Sequence, residues 1–135
     1  MMSRTTRTDY LTNTTAKQLM INYEKKKTAR LQEPGWFPIF SEFRDTGLLR
    51  DISGNALKLY IYLGIISRTI SGECWPSLRQ IGEYFGKSER TISTWMDELR
   101  RFGLIERIQP DYTSSSVTFL KLNYIETDNS KEKKG

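Results

Sequence analysis

Positions 87 to 94 read Lys87-Ser88-Glu89-Arg90-Thr91-Ile92-Ser93-Thr94. Apart from Glu89 and the apolar Ile92, every side chain in this run is a hydroxyl or a cation. The chain holds no histidine, and the run shows no base–orienter pair that would convert a hydroxyl into a nucleophile. Its chemistry is recognition rather than bond making. Hydroxyls donate to phosphates or to base edges, and Arg90 can pair with a guanine or with a phosphate. A helix starting at Glu89 would add the free backbone N–H groups of its first turn. The same row of short polar groups also fits an ordinary solvated helix face.

The elements that position this run can be read on either side of it. Ser88 is an N-cap candidate for a helix from Glu89 to Arg101 or Phe102. In that helix Ile92, Met96 and Leu99 recur at i, i+4 and i+7 and are expected to face a core. Arg90, Thr91, Ser93, Thr94 and Asp97 fall on the opposite face, and Trp95, beside the apolar stripe, is expected to be partly buried. Gly103 stops the helix. Upstream, Ser77 and Gln80 have capping-box spacing at the head of a helix from Leu78 to Phe85. Leu78, Ile81, Gly82 and Phe85 share its inner face, and Gly86 supplies the left-handed residue of a sharp turn. Downstream, Leu104 to Ile108 alternates as a strand and Val117 to Leu122 returns as its partner, with Val117, Phe119 and Lys121 on one face. The polar turn between them carries Thr113 and Ser114 as hydroxyl contacts. Arg107 and Lys121 are the hairpin's expected phosphate partners.

The preceding residues supply a scaffold. A helix from about Gly54 to Ser67, apolar on all sides, reads as central, with N-cap candidates in Asp51 to Asn55. Cys74 and Trp75 form a short extended step. Cys74 lies in apolar surroundings and is read as a packing residue. Trp36, Phe37 and Phe40, interrupted by Pro38, are expected to seat an extended segment on the core. Ser41 to Thr46 is expected to form a helical turn closed by Gly47. Nearer the amino end, Ala16, Leu19, Met20 and Tyr23 repeat at helical spacing, and Lys25, Lys26, Lys27 and Arg30 follow as an auxiliary basic segment suited to phosphates. This helix reads as resting on the domain, as pairing with a second copy, or as an arm on phosphates. Residues 1 to about 13 read as a loose tail.

Charge is unevenly distributed. The net charge is +5, and residues 1 to 31 hold seven basic against two acidic residues, so the rest of the chain is balanced. Nucleic-acid contact by residues 32 to 135 must therefore come from placed groups rather than bulk charge. The hydrophobic fraction of 37% suits one small core. No apolar run approaches the roughly 20 residues of a membrane span, and the polar start resembles no secretory signal. The single cysteine excludes an internal disulfide, and with no histidine a zinc site would need unusual ligands. No catalytic residue, metal, cofactor or small-molecule substrate is expected, and the cytoplasm is the default compartment.

Several stretches together resemble a known group: Ala56 to Tyr60, Gly72 to Ser77, Ile81 to Ile92 and Leu99 to Ile105. They are similar to the winged helix-turn-helix domains of plasmid and phage replication proteins, over roughly residues 37 to 122. The pattern of a glycine turn, Ser-x-Arg-Thr-Ile, then Leu-x-x-x-Gly-Leu-Ile carries the resemblance. The implied fold is mainly α with a small β-hairpin, with a helical extension at the amino end. The expected partition, read from the residues, is a basic tail and helix over 1–34, the domain over 35–125 and a disordered charged tail over 126–135. By resemblance, the second helix of the motif lies in the major groove of double-stranded DNA and the wing lies on the backbone. Ser88, Glu89, Arg90, Thr91, Ser93 and Thr94 then become reading positions, with Ser77 and Arg79 on phosphates, and Lys87 counts among the expected DNA contacts. Thr94, where the family often has a long basic residue, and the acidic pair Asp97-Glu98 depart from the pattern. The expected role is replication initiation or control, or transcription regulation. A transfer accessory protein and a winged helix used for protein contact are the alternatives, and a homodimer would match a two-fold DNA site.

Overall fold

In a computed structural model, which describes residues 5–109, 115–122 and 124, the order of elements follows the punctuation of the sequence. After a single 3-10 turn (Arg7–Asp9) comes α1 (Thr14–Arg30), capped by the Asn13 side chain, which accepts from the Ala16 amide. The chain divides into two units, Met1–Pro34 and Gly35–Gly135. Within the first, α1 buries none of its residues. Leu19, Ile21 and Tyr23 are exposed, and Ala16 and Met20 of the stripe at helical spacing are half-buried.

The second unit opens with two short helices, α2 (Glu42–Asp45) and α3 (Leu48–Asp51), joined through Gly47 at φ +85°. The sequence suggested only the first. Then α4 (Gly54–Ile66) runs through the centre, and β1 (Glu73–Cys74), α5 (Leu78–Phe85), α6 (Glu89–Arg101), β2 (Ile105–Ile108) and β3 (Val117–Leu120) complete the unit. The inner face of α4 supplies Ala56, Leu59, Tyr60 and Leu63, all fully buried. Against it pack Ile81 of α5 and Ile92, Met96 and Leu99 of α6, with Phe43, Leu48, Ile52, Leu104 and Ile105. Trp95 is more deeply buried than expected, at 6% exposure, because its ring meets the edge of Phe85 at 5.6 Å.

The aromatic segment ahead of α2 seats unequally. Phe37 packs edge-on against Tyr60 at 5.5 Å and lies over Gly64, where a side chain would collide with its ring. Trp36 is half-buried, while Phe40 is 47% exposed and does not join the core. The outward face of α4 is a second departure. Ile61, Ile65 and Ile66 are exposed, so a helix apolar on all sides is covered on one side only.

The expected hairpin is a three-stranded antiparallel sheet in the order β1-β3-β2. The step at Cys74 is its third strand, pairing Glu73 with Phe119 and Cys74 with Thr118. On the other side β3 pairs Arg107 with Thr118 and Ile105 with Leu120. Opposed residues share a face, so Cys74, Thr118 and Arg107 form one inward row. Thr118 is 1% exposed. Val117 and Phe119 do lie on one common face, but it is the outer one. Tyr124, packed edge-on to Phe43 at 5.1 Å, returns the chain to the core. The wing-tip residues Thr113 and Ser114, and the segment 126–135, lie outside the described residues.

Candidate nucleic-acid interface

The two helices of the motif begin and end where their side chains can satisfy terminal backbone groups. Ser77 Oγ accepts from the Gln80 amide at 3.0 Å, and Gln80 Oε1 accepts from the Ser77 amide at 2.8 Å, closing a capping box. At the carboxyl end Gly86 adopts φ +69°, and the Lys87 amide donates to the Gly82 carbonyl at 2.9 Å. Gly82 is a close approach as well. A Cβ there would stand 2.5 Å from the Lys87 carbonyl oxygen, so the turn lies directly on the backbone of α5. Ser88 then starts α6, its Oγ accepting from the Thr91 amide at 3.1 Å.

This start fixes what α6 shows. Lys87, Ser88, Glu89, Arg90 and Thr94 are exposed, and Thr91 and Ser93 are half-buried beside the core stripe. Arg90, Thr94 and Asp97, at i, i+4 and i+7, form the outermost line. Some of the hydroxyls are engaged locally. Ser88 Oγ donates to Thr91 Oγ1 at 3.0 Å, and Thr94 Oγ1 donates back to the Arg90 carbonyl at 3.1 Å. Thr91 Oγ1 is the acceptor in the first of these bonds, so its own hydroxyl hydrogen is not used there. Neither Lys87 nor Arg90 forms an ion pair with another described residue. Ser77 and Arg79 are exposed at the head of α5, with Arg79 at 3.4 Å from Glu83 one turn on. That pair is solvent-facing and worth little, which leaves Arg79 available.

The structure separates the acidic pair 97–98. Asp97 remains outward, 3.7 Å from Arg100. Glu98 turns the other way and accepts from Ser53 at the start of α4. Only one of the two carboxylates therefore bears on the exposed face. No periodicity marks this, because the partner is 45 residues away.

The two cations expected on the wing are not equivalent. Arg107 lies in the inward row with Thr118 and Cys74 and is half-buried. Burial, and next the nearby positive charge of Arg100, lower its pKa from the usual guanidinium value. It stands under the sheet, away from the amino end of α6. Lys121 follows β3 and is fixed by its amide donating to the Leu104 carbonyl at 2.9 Å. Alternation along β2 gave the two-fold period, but which face was inner became clear only from the pairing with Thr118. The auxiliary cations Lys25, Lys26, Lys27 and Arg30 are exposed on the last turns of α1. No group of His, Cys, Asp or Glu among the described residues is placed to hold a metal ion. No helix among them is long and apolar enough to cross a membrane.

A helix, a glycine turn and a second helix, flanked by a small antiparallel sheet and backed by α4, define a winged helix-turn-helix domain. Residues 50–105 match the model of a family described as a helix-turn-helix domain, a span running from α3 to the first residue of β2. That match supports a DNA-binding role for the segment. Neither the curated proteins nor the solved structures contain a match to the chain.

Proposed function

We propose that the protein binds double-stranded DNA of a plasmid or phage-like element in a sequence-directed manner, serving replication initiation or control, or transcription regulation. The observation that carries this reading is the exposed polar start of α6. It is held on a helix whose inner face, Ile92, Trp95, Met96 and Leu99, is buried, inside the segment that matches the helix-turn-helix family. In this reading α6 enters the major groove. Arg90 and Glu89 meet base edges, Ser88, Thr91, Ser93 and Thr94 contribute hydroxyls, and Ser77, Arg79 and Lys87 meet phosphates. Lys121 is the wing's backbone contact, and the inward Arg107 supports the sheet. The plasmid or phage setting is supported by the resemblance of residues 37 to 122 to replication proteins. Two copies on a two-fold site would double the interface.

Because residues 32 to 135 carry no net charge, the cations of α1 are expected to supply much of the non-specific attraction. Binding of the full chain to a duplex, followed by anisotropy as salt rises, tests this. The log–log slope is expected at roughly −0.9 per phosphate contact. Replacing Lys25, Lys26 and Lys27 by Gln should flatten the slope and leave sequence preference in place. No duplex binding even at low salt would refute the DNA reading.

A further inference from the structure

Opposite the core, α4 presents Lys58, Ile61, Tyr62, Ile65 and Ile66 at i, i+3, i+4, i+7 and i+8. This is the spacing of a helix face that packs against another helix. With Tyr84 and Phe85 of α5 these side chains line an open groove of about 410 Å³. One end is a triangle of aromatic rings, with Tyr62 at 4.8 Å from Tyr84 and 5.5 Å from Phe85 and with Tyr84 at 5.0 Å from Phe85. Tyr84 is 69% exposed and Ile65 49%, so large apolar side chains stand in water along two turns of helix. The one charged group in the lining is Lys58. Its ammonium lies 5.7 Å from the centre of the Phe85 ring and pairs with no described carboxylate.

We propose that this groove is a docking site for an acidic amphipathic helix of a partner protein, with apolar anchors along Ile61, Ile65 and Ile66 and a carboxylate on Lys58. Charge selects this occupant. A second copy's α1 would bring Lys25, Lys26, Lys27 and Arg30 towards Lys58, and a second copy's α4 carries no acidic residue. An acidic helix supplies the carboxylate that Lys58, the one charge in the lining, lacks among the described residues. The groove length, about 12 Å from Lys58 to Ile66 at 1.5 Å per residue, accommodates two turns of anchors. The groove shares no residue with the proposed DNA contacts.

The test uses the full chain and two synthetic helical peptides of about five turns. They share a Leu stripe at i, i+3, i+4 and i+7, flanked by Glu in one and by Lys in the other. Fluorescence anisotropy should show the Glu peptide binding at least about tenfold tighter than the Lys peptide. Lys58→Glu should reverse that preference, and Ile65→Asn should weaken both by about tenfold or more. A melting curve would show Ile65→Asn folded, and its duplex affinity should match wild type. Lys58 is exposed, so Lys58→Glu tests the charge even if the Asn variant melts early. Equal affinity for the two peptides, or binding of neither, would overturn the proposal. So would a wild-type dimer that Ile65→Asn turns into a monomer, since a second copy would then occupy the groove.

Discussion

Glu98 and Ser53 are joined by two hydrogen bonds: the Ser53 amide donates to Glu98 Oε2 at 2.7 Å, and Ser53 Oγ donates to Glu98 Oε1 at 2.8 Å. The same Oγ accepts from the Ala56 amide at 3.2 Å, capping α4. One carboxylate on the last turns of the exposed helix thus holds the first turn of the central helix. The contact ties α6 to the start of α4, and it removes a negative charge from the face proposed to meet DNA.

Ser53→Ala removes a cap and one bond to Glu98 and should cost about 1 kcal/mol in chemical denaturation. Glu98→Ala should cost a comparable amount. The two share a partner, so the double variant should lose less than their sum by about 0.5 kcal/mol or more. Strict additivity would show that the carboxylate contributes nothing to the cap.

Residues two apart on α6 should separate stability from binding. Ile92 is fully buried, and Ile92→Ala should destabilise the domain by about 2–5 kcal/mol. Arg90 is exposed, and Arg90→Ala should change stability by less than about 0.5 kcal/mol while weakening a cognate duplex by about 1–3 kcal/mol. Unchanged duplex affinity in Arg90→Ala would count against α6 as the reading helix.

Two glycines should respond oppositely to alanine. At Gly82 the new Cβ meets the Lys87 carbonyl at 2.5 Å, and the turn must shift, at a cost of about 1–3 kcal/mol. At Gly54, the first residue of α4, nothing lies within 4 Å and φ is not positive. Gly54→Ala should therefore stabilise by about 0.4–1 kcal/mol, through the entropy of the unfolded chain. Thermal melts of the two variants should move in opposite directions.

Burial pushes the Cys74 thiol up from 9.0 to about 11, against a smaller opposite effect of Arg107. A pKa raised on folding means that the unfolded chain ionises first, so stability falls as pH rises from about 9 through about 11 and is unaffected below that window. Tyr60, whose hydroxyl is also raised by burial, adds to the loss from about pH 10 upward. At pH 8 the native thiol should react with a disulfide reagent far more slowly than in denaturant. Cys74→Ala should soften the stability decline between pH 9 and 10, and an equally steep decline in that variant would assign it elsewhere.

Contacts closed within a few residues were legible in the sequence. The limits of α5 and α6, the Ser77–Gln80 box, the Ser88 cap and the left-handed Gly86 each depend on residues within one or two helical turns. Local sterics and terminal hydrogen bonds decide such features wherever the segment sits. The inner stripe Ile92, Met96 and Leu99 was legible for the same reason, since helical periodicity alone puts them on one face. The exposed line Arg90, Thr94 and Asp97 followed as its complement, while Thr91 and Ser93, expected on that face, are half-buried.

What depends on residues far apart was decided by the tertiary structure. The two residues of β1 have too little periodicity to announce a strand and exist as one because β3 offers them open backbone partners. That pairing turned Thr118 and Arg107 inward, which alternation alone could not choose, since a strand's two faces are equivalent until one is covered. The outer face of α4 and Phe40 are as apolar as the core yet stay open, because a core forms where elements meet rather than wherever apolar residues occur. Glu98 gives the same lesson with opposite sign. Its carboxylate is written into the exposed helix as a charge beside Asp97, and only the approach of Ser53 across the fold turns it into a cap.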